Sequence, residues 1–252
     1  PVMLPRLPAE SPLPEALRRA ARRRGVVIVR PAPGTPTIPL DDVDAEAPET
    51  LLSSRRRSDL RRARRRAEQI GAVSAEVHAP RDAGAAMALL EQAIAVEARS
   101  WKGREGTALA SDTPEARAEA AAVRRFAELA APQDILRIAF LRIDGEPAAM
   151  QIAVEKEGHY GLLKIGYDER FGRCSPGQLL MLEAIRHGAA RGLGSIELLG
   201  AIEPWTSAWT KMERLCVSVR AYPARPGAMA ALAADVAAAG ARKAGRLVGE
   251  RR

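Results

Sequence analysis

The sequence predicts an α/β fold. Three observations carry that expectation: three strand-like runs separated by tight Gly-containing turns, apolar residues at helical spacing on both sides of those runs, and a later strand–helix–strand succession that suits a parallel crossover. With 252 residues, 47% of them apolar, the chain fits one large domain, or one domain and a piece of another, with a substantial core. Global disorder is excluded on the same ground.

The first segment, to about residue 48, is punctuated by prolines at 1, 5, 8, 12, 14, 31, 33, 36, 39 and 48. It holds one helical run, Pro14–Arg24, and a strand-like Val26–Val29. A lone short strand cannot bury its own faces, so this segment must pair with the rest of the fold or with something upstream. Because the chain opens on Pro1 and has no charged start followed by an apolar run, upstream sequence is expected to be missing. Residues 1–48 are read as a remnant or linker and 49–252 as the main domain.

From Ser53 to Ile70, Leu60, Ala63, Ala67 and Ile70 recur at helical spacing while eight arginines (55, 56, 57, 61, 62, 64, 65 and 66) cover the other faces. A strand (72–78), a helix (82 to about 101), a polar loop with Gly103 and Gly106, and a helix (114–130) follow. The strands of the meander are expected at 135–143, 148–155 and 159–167, with turns at Asp144–Pro147 and Lys156–Gly158. Gly177–Ala190 reads as a helix and Ser195–Leu199 as a short strand parallel to the meander's last. An irregular piece (200–212), a strand (215–222) and an Ala-rich helix (227 to about 247) complete the chain.

The 39 Lys and Arg residues exceed the 31 Asp and Glu, giving a net charge of +8 concentrated in local basic faces. Cys174 and Cys216 stand apart with no Cys-x-x-Cys or Cys/His cluster, so neither a disulfide framework nor a metal site has support, and a reducing, cytoplasmic setting is expected. No run approaches the roughly 20 strongly apolar residues of a membrane span.

Chemistry concentrates in Tyr167–Leu180, a loop that runs from the meander's last strand into a helix. Amides at a helix start are unpaired and attract phosphate oxygens where no side chain intervenes, which Gly177 allows. Ser175 suits an N-cap or a phosphate donor, Pro176 sits where a missing N–H costs little, and Arg173 can place a cation beside a diphosphate. Ser-Pro-Gly also serves simply as a helix cap.

These residues, with the Arg-rich helix, Glu97–Ala108, the turn Asp144–Pro147, Ile165–Asp168, Ser175–Leu180, and Glu203-Pro204-Trp205 with Trp209, resemble the GNAT superfamily of acyl-CoA N-acyltransferases. The likeness is to its CelD-type branch of cellulose and exopolysaccharide operons, with Fem-type aminoacyl transferases as relatives. It implies a GNAT-like twisted mixed sheet flanked by helices, with residues 1–48 as the truncated tail of a second such unit. It also implies acetyl-CoA or another acyl-CoA as co-substrate, no metal, and an amine or hydroxyl acceptor of sugar or envelope type. The cofactor would meet Ile165, Gly166, Arg173, Ser175, Gly177, Gln178 and Leu179, in a gap between strands ending near Tyr167 and Leu199. Two features differ from the family pattern: the phosphate loop is poorer in glycine, and Thr206 stands where the branch often has lysine. An aminoacyl-tRNA donor, a catalytically inactive scaffold and a basic RNA-binding module remain as alternatives.

Direct acyl transfer requires an acceptor stripped of a proton, a polarised thioester carbonyl and a proton for the thiolate. Main-chain N–H groups at Ile165–Tyr167 suit the carbonyl, Glu203 is the candidate base, and Tyr167 or Tyr160 the candidate to act as acid or to position the donor. Trp101, Lys102, Arg104 and Trp205 are the candidate acceptor-binding residues. His159 and Cys174 read as surface or packing residues. For the Arg-rich helix, a solvated face competes with an anionic acceptor and with nucleic acid, the last disfavoured because the helix carries no aromatics.

Overall fold

The computed structural model describes residues 1–198, 200 and 202–249, with 239–249 described by backbone alone. Its strands are β1 (Val2–Pro8), β2 (Gly25–Pro39), β3 (Val73–His78), β4 (Leu136–Ile143), β5 (Glu146–Lys156), β6 (His159–Tyr167), β7 (Ser195–Glu197) and β8 (Glu213–Pro223). Its helices are α1 (Leu13–Ala21), α2 (Ser54–Glu68), α3 (Ala83–Ala98), α4 (Trp101–Arg104), α5 (Pro114–Ala130), α6 (Pro176–Ala190), α7 (Pro204–Ser207) and α8 (Pro226–Gly249). Two compact units result: residues 36–212, and residues 1–35 with the segment from Glu213 onward.

In the 36–212 unit, Thr37–Pro39 of β2 pair antiparallel with β7, β7 runs parallel to β6, and β6, β5, β4 and β3 continue as an antiparallel meander. Both hairpin turns have two consecutive residues at positive φ, Asp144 (51°) with Gly145 (78°) and Glu157 (51°) with Gly158 (80°). That is the turn whose twist matches paired strands. Alternation then sorts the side chains into two cores. Ala139, Leu141 and Ile143 of β4 and Ala149 and Ala153 of β5 face α2 and α6, where Leu60, Leu180 and Ile185 meet them. Leu136, Ile138 and Phe140 with Met150 and Ile152 face α3 and α5. Side-chain caps start the flanking helices: Ser53 accepts from Arg56 N, Asp82 from Ala85 N at 2.8 Å, and Thr113 from Ala116 N at 3.1 Å.

One irregularity in β6 decides which side chains reach each core. Ile152 opposes Lys164 but Ala153 opposes Leu162, leaving Leu163 as the extra residue of a β-bulge. The bulge switches parity. Tyr160 and Leu162 face the α2/α6 core before it, and Ile165 and Tyr167 face that core after it. Pairing with β7 covers only His159, Tyr160 and Gly161, so from Leu162 onward β6 has an open edge among the described residues. The expected end of the seventh strand, Leu199, lies outside the described residues.

The other unit pairs β1 antiparallel with β8, which also lies beside β2 and packs on α1 and α8. The proline-rich segment thus forms real structure: β2 extends from Gly25 to Pro39, well past the expected Val26–Val29, because proline's fixed φ is compatible with extended chain. The division near residue 48 expected from composition does not match the observed one at residues 35/36 and 212/213. Strand pairing decides membership: β1 pairs with β8, whereas Thr37–Pro39 pair with β7. The helix expected from 82 to about 101 is α3, which ends at Ala98, and the short α4 follows in the expected loop, since the chain turns at Ser100, whose hydroxyl donates to Glu97 O at 2.6 Å. Gly103 then passes so close that a Cβ there would sit 2.0 Å from Ala98 O. Among the described residues no helix is long and apolar enough to cross a membrane.

Candidate active site

Antiparallel pairing turns alternate residues toward and away from the partner strand. Asp168 N donates to Ala148 O at 2.9 Å, so Gly166 also faces β5, and Ile165 and Tyr167 turn their N–H and C=O groups to the open edge. The Ile165 carbonyl confirms this direction by accepting from Lys102 Nζ at 2.8 Å. The N–H groups of Ile165 and Tyr167 are left at an edge that no strand covers among the described residues.

Asp168 anchors the loop beyond β6. Its carboxylate is 1% exposed and accepts from Arg170 N at 3.0 Å and from Arg99 Nε at 2.6 Å. Burial raises its pKa, but hydrogen bonds from Arg170 and Arg99 outweigh burial and hold it below the usual carboxylate range. A 3₁₀ turn, Glu169–Cys174, carries the chain to Ser175, a non-glycine residue in left-handed conformation at φ 46°. Strain of this kind persists where surrounding structure holds it, often at ligand sites. The Ser175 carbonyl accepts from Gln178 N at 3.0 Å and Leu179 N at 3.2 Å, while its hydroxyl makes no cap bond. Pro176 has no N–H, so Gly177 is the open amide of this helix start, with no acceptor among the described residues.

These groups border one cavity of about 560 Å³. Its walls are Trp101, Tyr167, Trp205 and Trp209, and its polar rim includes Ser175, Gly177, Gln178 and Glu203. Trp101 and Tyr167 lie with ring centroids 5.4 Å apart. Glu203 precedes α7 and accepts from Trp205 Nε1 at 3.0 Å, while its own N–H donates to Thr206 Oγ1 at 2.8 Å. Thr206, buried at 1% exposure, thereby fixes the turn that carries the carboxylate.

A family profile described as "Acetyltransferase (GNAT) domain" matches residues 54–207, which include every lining residue of this cavity except Trp209. The chain belongs to the GNAT family. It is an acyltransferase, and its α/β architecture is that of GNAT-like structures. The C-terminal domain of a protein described as a putative lysylphosphatidylglycerol synthetase from Agrobacterium fabrum is similar at 14% identity and TM-score 0.54, over 93% of this chain and 71% of that one. L-PGS from Bacillus licheniformis gives 14% and 0.50, over 86% of this chain and 67% of that one, and FemX gives 9% and 0.52, over 86% and 70%. Among curated proteins no match is found.

Placed on this GNAT domain, the candidate residues Ile165, Gly166, Tyr167, Ser175, Gly177, Gln178, Glu203, Trp101 and Trp205 come together around the cavity. Four others do not line it. Leu179 is 4% exposed in the core, and its amide is already bonded to Ser175 O. Lys102 is held by the buried carboxylate of Glu97 at 2.9 Å, and so braces the strand edge through Ile165 O. Arg104 is exposed and pairs with Glu169 at 2.9 Å. Arg173 is exposed beside the loop. Tyr160 is 0% exposed and encased in the core, which removes it as an acid at this cavity. Cys174 is buried, and burial pushes its thiol pKa up against a smaller pull from Arg66. Gly166 has a packing reason of its own: a Cβ there would lie 3.2 Å from Glu97 Cα.

Gln151, Met150, Met181 and Gly172 complete the lining and were invisible as site residues in the sequence, since strand or helix alternation explains the first three equally well. Trp209 carried a signal. All three tryptophans of the chain, Trp101, Trp205 and Trp209, face this one space.

The Arg-rich helix α2 is not a uniform solvated face. Arg56 turns inward, donating to Gln178 Oε1 and lying 5.3 Å over the Trp209 ring. Arg57, Arg61, Arg64 and Arg65 border a second cavity of about 540 Å³ with Arg186, over a floor of Leu60, Leu179 and Leu182. Glu183 offsets part of this charge by pairing with Arg186 and, at 3.7 Å, with Arg64.

Proposed function

We propose that this GNAT domain transfers an acyl group, most simply acetyl, from acyl-CoA to an amine or hydroxyl of a sugar-related or cell-envelope precursor. The reading extends to the CelD-type branch and a cytoplasmic setting. The observation that carries it is the open edge of β6 and the free Gly177 amide bordering one cavity. An extended donor arm bonds to strand-edge amides as a missing strand would, and its diphosphate meets the helix start. Glu203, Trp205 and the aromatic walls support the acceptor assignment, because aromatic faces with a carboxylate suit a sugar ring bearing an amine.

The acceptor nitrogen or oxygen forms a bond to the thioester carbon, the C–S bond breaks, and CoA leaves as a thiolate. Glu203 takes the acceptor's proton, with Trp205 Nε1 orienting its carboxylate. The Ile165 and Tyr167 amides hydrogen-bond the carbonyl oxygen as negative charge develops on it. The Tyr167 phenol supplies the proton that the thiolate takes up.

Isothermal titration of the folded chain with acetyl-CoA and with CoA tests the donor directly. Saturable binding is expected, and its absence overturns the acyl-CoA reading. Glu203→Gln is expected to lower kcat for acetyl transfer to glucosamine by about 100-fold with donor affinity unchanged, within the usual range for a general base. An unchanged kcat removes Glu203 from the mechanism.

A further inference from the structure

We infer that Gln151 and Trp209 are acceptor-binding residues that together read a hydroxyl-bearing sugar ring, an assignment that rests on the acyltransferase function proposed for this cavity and specifies its substrate class. Gln151 on β5 is 2% exposed, and among the described residues its Oε1 has no hydrogen-bond partner, while its Nε2 reaches only the Met181 sulfur at 3.9 Å. Trp209 is 5% exposed, and its Nε1 has no partner among the described residues either. Both side chains line the same cavity.

An orphaned buried polar atom costs about 1–3 kcal/mol, and an apolar residue of similar size would remove that cost at either position. Two such atoms on side chains that border one space, an acceptor and a donor, describe the ligand that relieves them once the side chains turn toward it. A hydroxyl donates to Gln151 Oε1, and a neighbouring ring or hydroxyl oxygen accepts from Trp209 Nε1. Exchanging the two ends of the carboxamide would leave an N–H in place of the oxygen, and a hydroxyl answers that as well. The neutral aromatic walls Trp101, Tyr167 and Trp205 fit the C–H faces of a pyranose, and Glu203 accepts from an amine on the ring. The donor is held by main-chain amides at Ile165, Tyr167 and Gly177, which leaves this side-chain pair to the acceptor.

Because every tryptophan of the chain borders the cavity, intrinsic tryptophan emission reports its occupancy. Wild type, Gln151→Leu and Trp209→Phe are titrated with glucosamine and, separately, with CoA, and each is melted without ligand. For both variants the glucosamine Kd is expected to rise at least tenfold while the CoA Kd stays within twofold. Gln151→Leu is expected to keep or raise Tm, since it removes an unsatisfied atom, whereas a purely structural glutamine would lower Tm on replacement. The inference is overturned by unchanged glucosamine affinity in both variants, by loss of CoA affinity instead, or by a wild type that binds CoA but not glucosamine. Failure of the wild type to bind CoA is a different result and sinks the transferase reading itself.

Discussion

The two ends of the β5–β6 hairpin bury polar groups to a similar depth and treat them oppositely. Near the turn, where β7 still pairs with β6, Glu155 is 7% exposed and fully engaged. It accepts from Arg137 Nε, His187 Nε2 and Arg191 Nε, each at 2.9 Å. At the far end, where β7 has left, Gln151 Oε1 and Trp209 Nε1 have no partner among the described residues, and the amides of Ile165 and Tyr167 face an edge that none of those residues pairs with. Internal satisfaction marks structure at the closed end. Its absence beside a cavity marks a place where a ligand completes the hydrogen bonding.

The largest expected effect breaks the closed end. Arg137 is 4% exposed and pairs with Glu155 and, at 3.3 Å, with the more exposed Asp134, so Glu155→Gln removes its buried counter-ion and is expected to cost about 3 kcal/mol of unfolding free energy by urea denaturation at pH 7. The effect also has a pH signature. Burial raises the Glu155 pKa, but hydrogen bonds from His187 and Arg137, the Arg137 charge and the Arg191 bond outweigh it and draw it from 4.5 to about 2. A depressed folded-state pKa stabilises the fold above the unfolded value and loses that contribution as pH falls through the folded one. The advantage of wild type over Glu155→Gln should therefore hold above about pH 4.5 and shrink toward pH 2. An advantage that stays level over this range would show that the carboxylate is not clamped by its three partners.

A smaller effect is aimed at the open end. A Cβ on Gly177 would meet Tyr167 Cδ1 at 3.7 Å, an ordinary contact, so the fold tolerates a side chain there. Gly177→Val should leave Tm nearly unchanged and raise the Kd for CoA at least tenfold in calorimetry, about 1.4 kcal/mol. Unchanged affinity would place the diphosphate elsewhere. Gly166 sharpens the contrast, since a Cβ there would press on Glu97 Cα at 3.2 Å and perturb packing and binding together.

Legibility in the sequence divides along the same line. The meander was readable because alternation and Gly turns are local: the strand expected at 159–167 is β6 to the residue. The Ser175–Gln178 loop was readable because helix starts have local signatures. What escaped depends on contacts distant in sequence. The pairing of β1 with β8 joins residues more than two hundred positions apart, and no periodicity within 1–48 reveals it. Lys102 and Arg104 read as acceptor ligands because they flank Trp101, yet the turn at Ser100 sends them to Glu97 and Glu169. Gln151 occupies an inward strand position where a core residue is the default, so its function shows only once its oxygen is found without a donor.

Tyr160 gives the smallest and most searching test. Its hydroxyl is also orphaned, yet it sits at the closed end, in the core and away from the linings of the tryptophan-walled and arginine-bordered cavities. Its ring packs edge-on against His187 at 5.9 Å, and burial, with the nearby Glu155 charge adding to it, pushes the phenol pKa up. If an unpartnered atom signals a ligand only when a cavity reaches it, this one is simply a cost. Tyr160→Phe should then leave donor and acceptor affinities untouched and raise stability by up to about 1 kcal/mol in urea denaturation. A loss of stability beyond about 1 kcal/mol would mean that the hydroxyl is satisfied in solution. The same doubt would then fall on Gln151, whose claim to a ligand rests on an oxygen judged unpartnered by the same geometry.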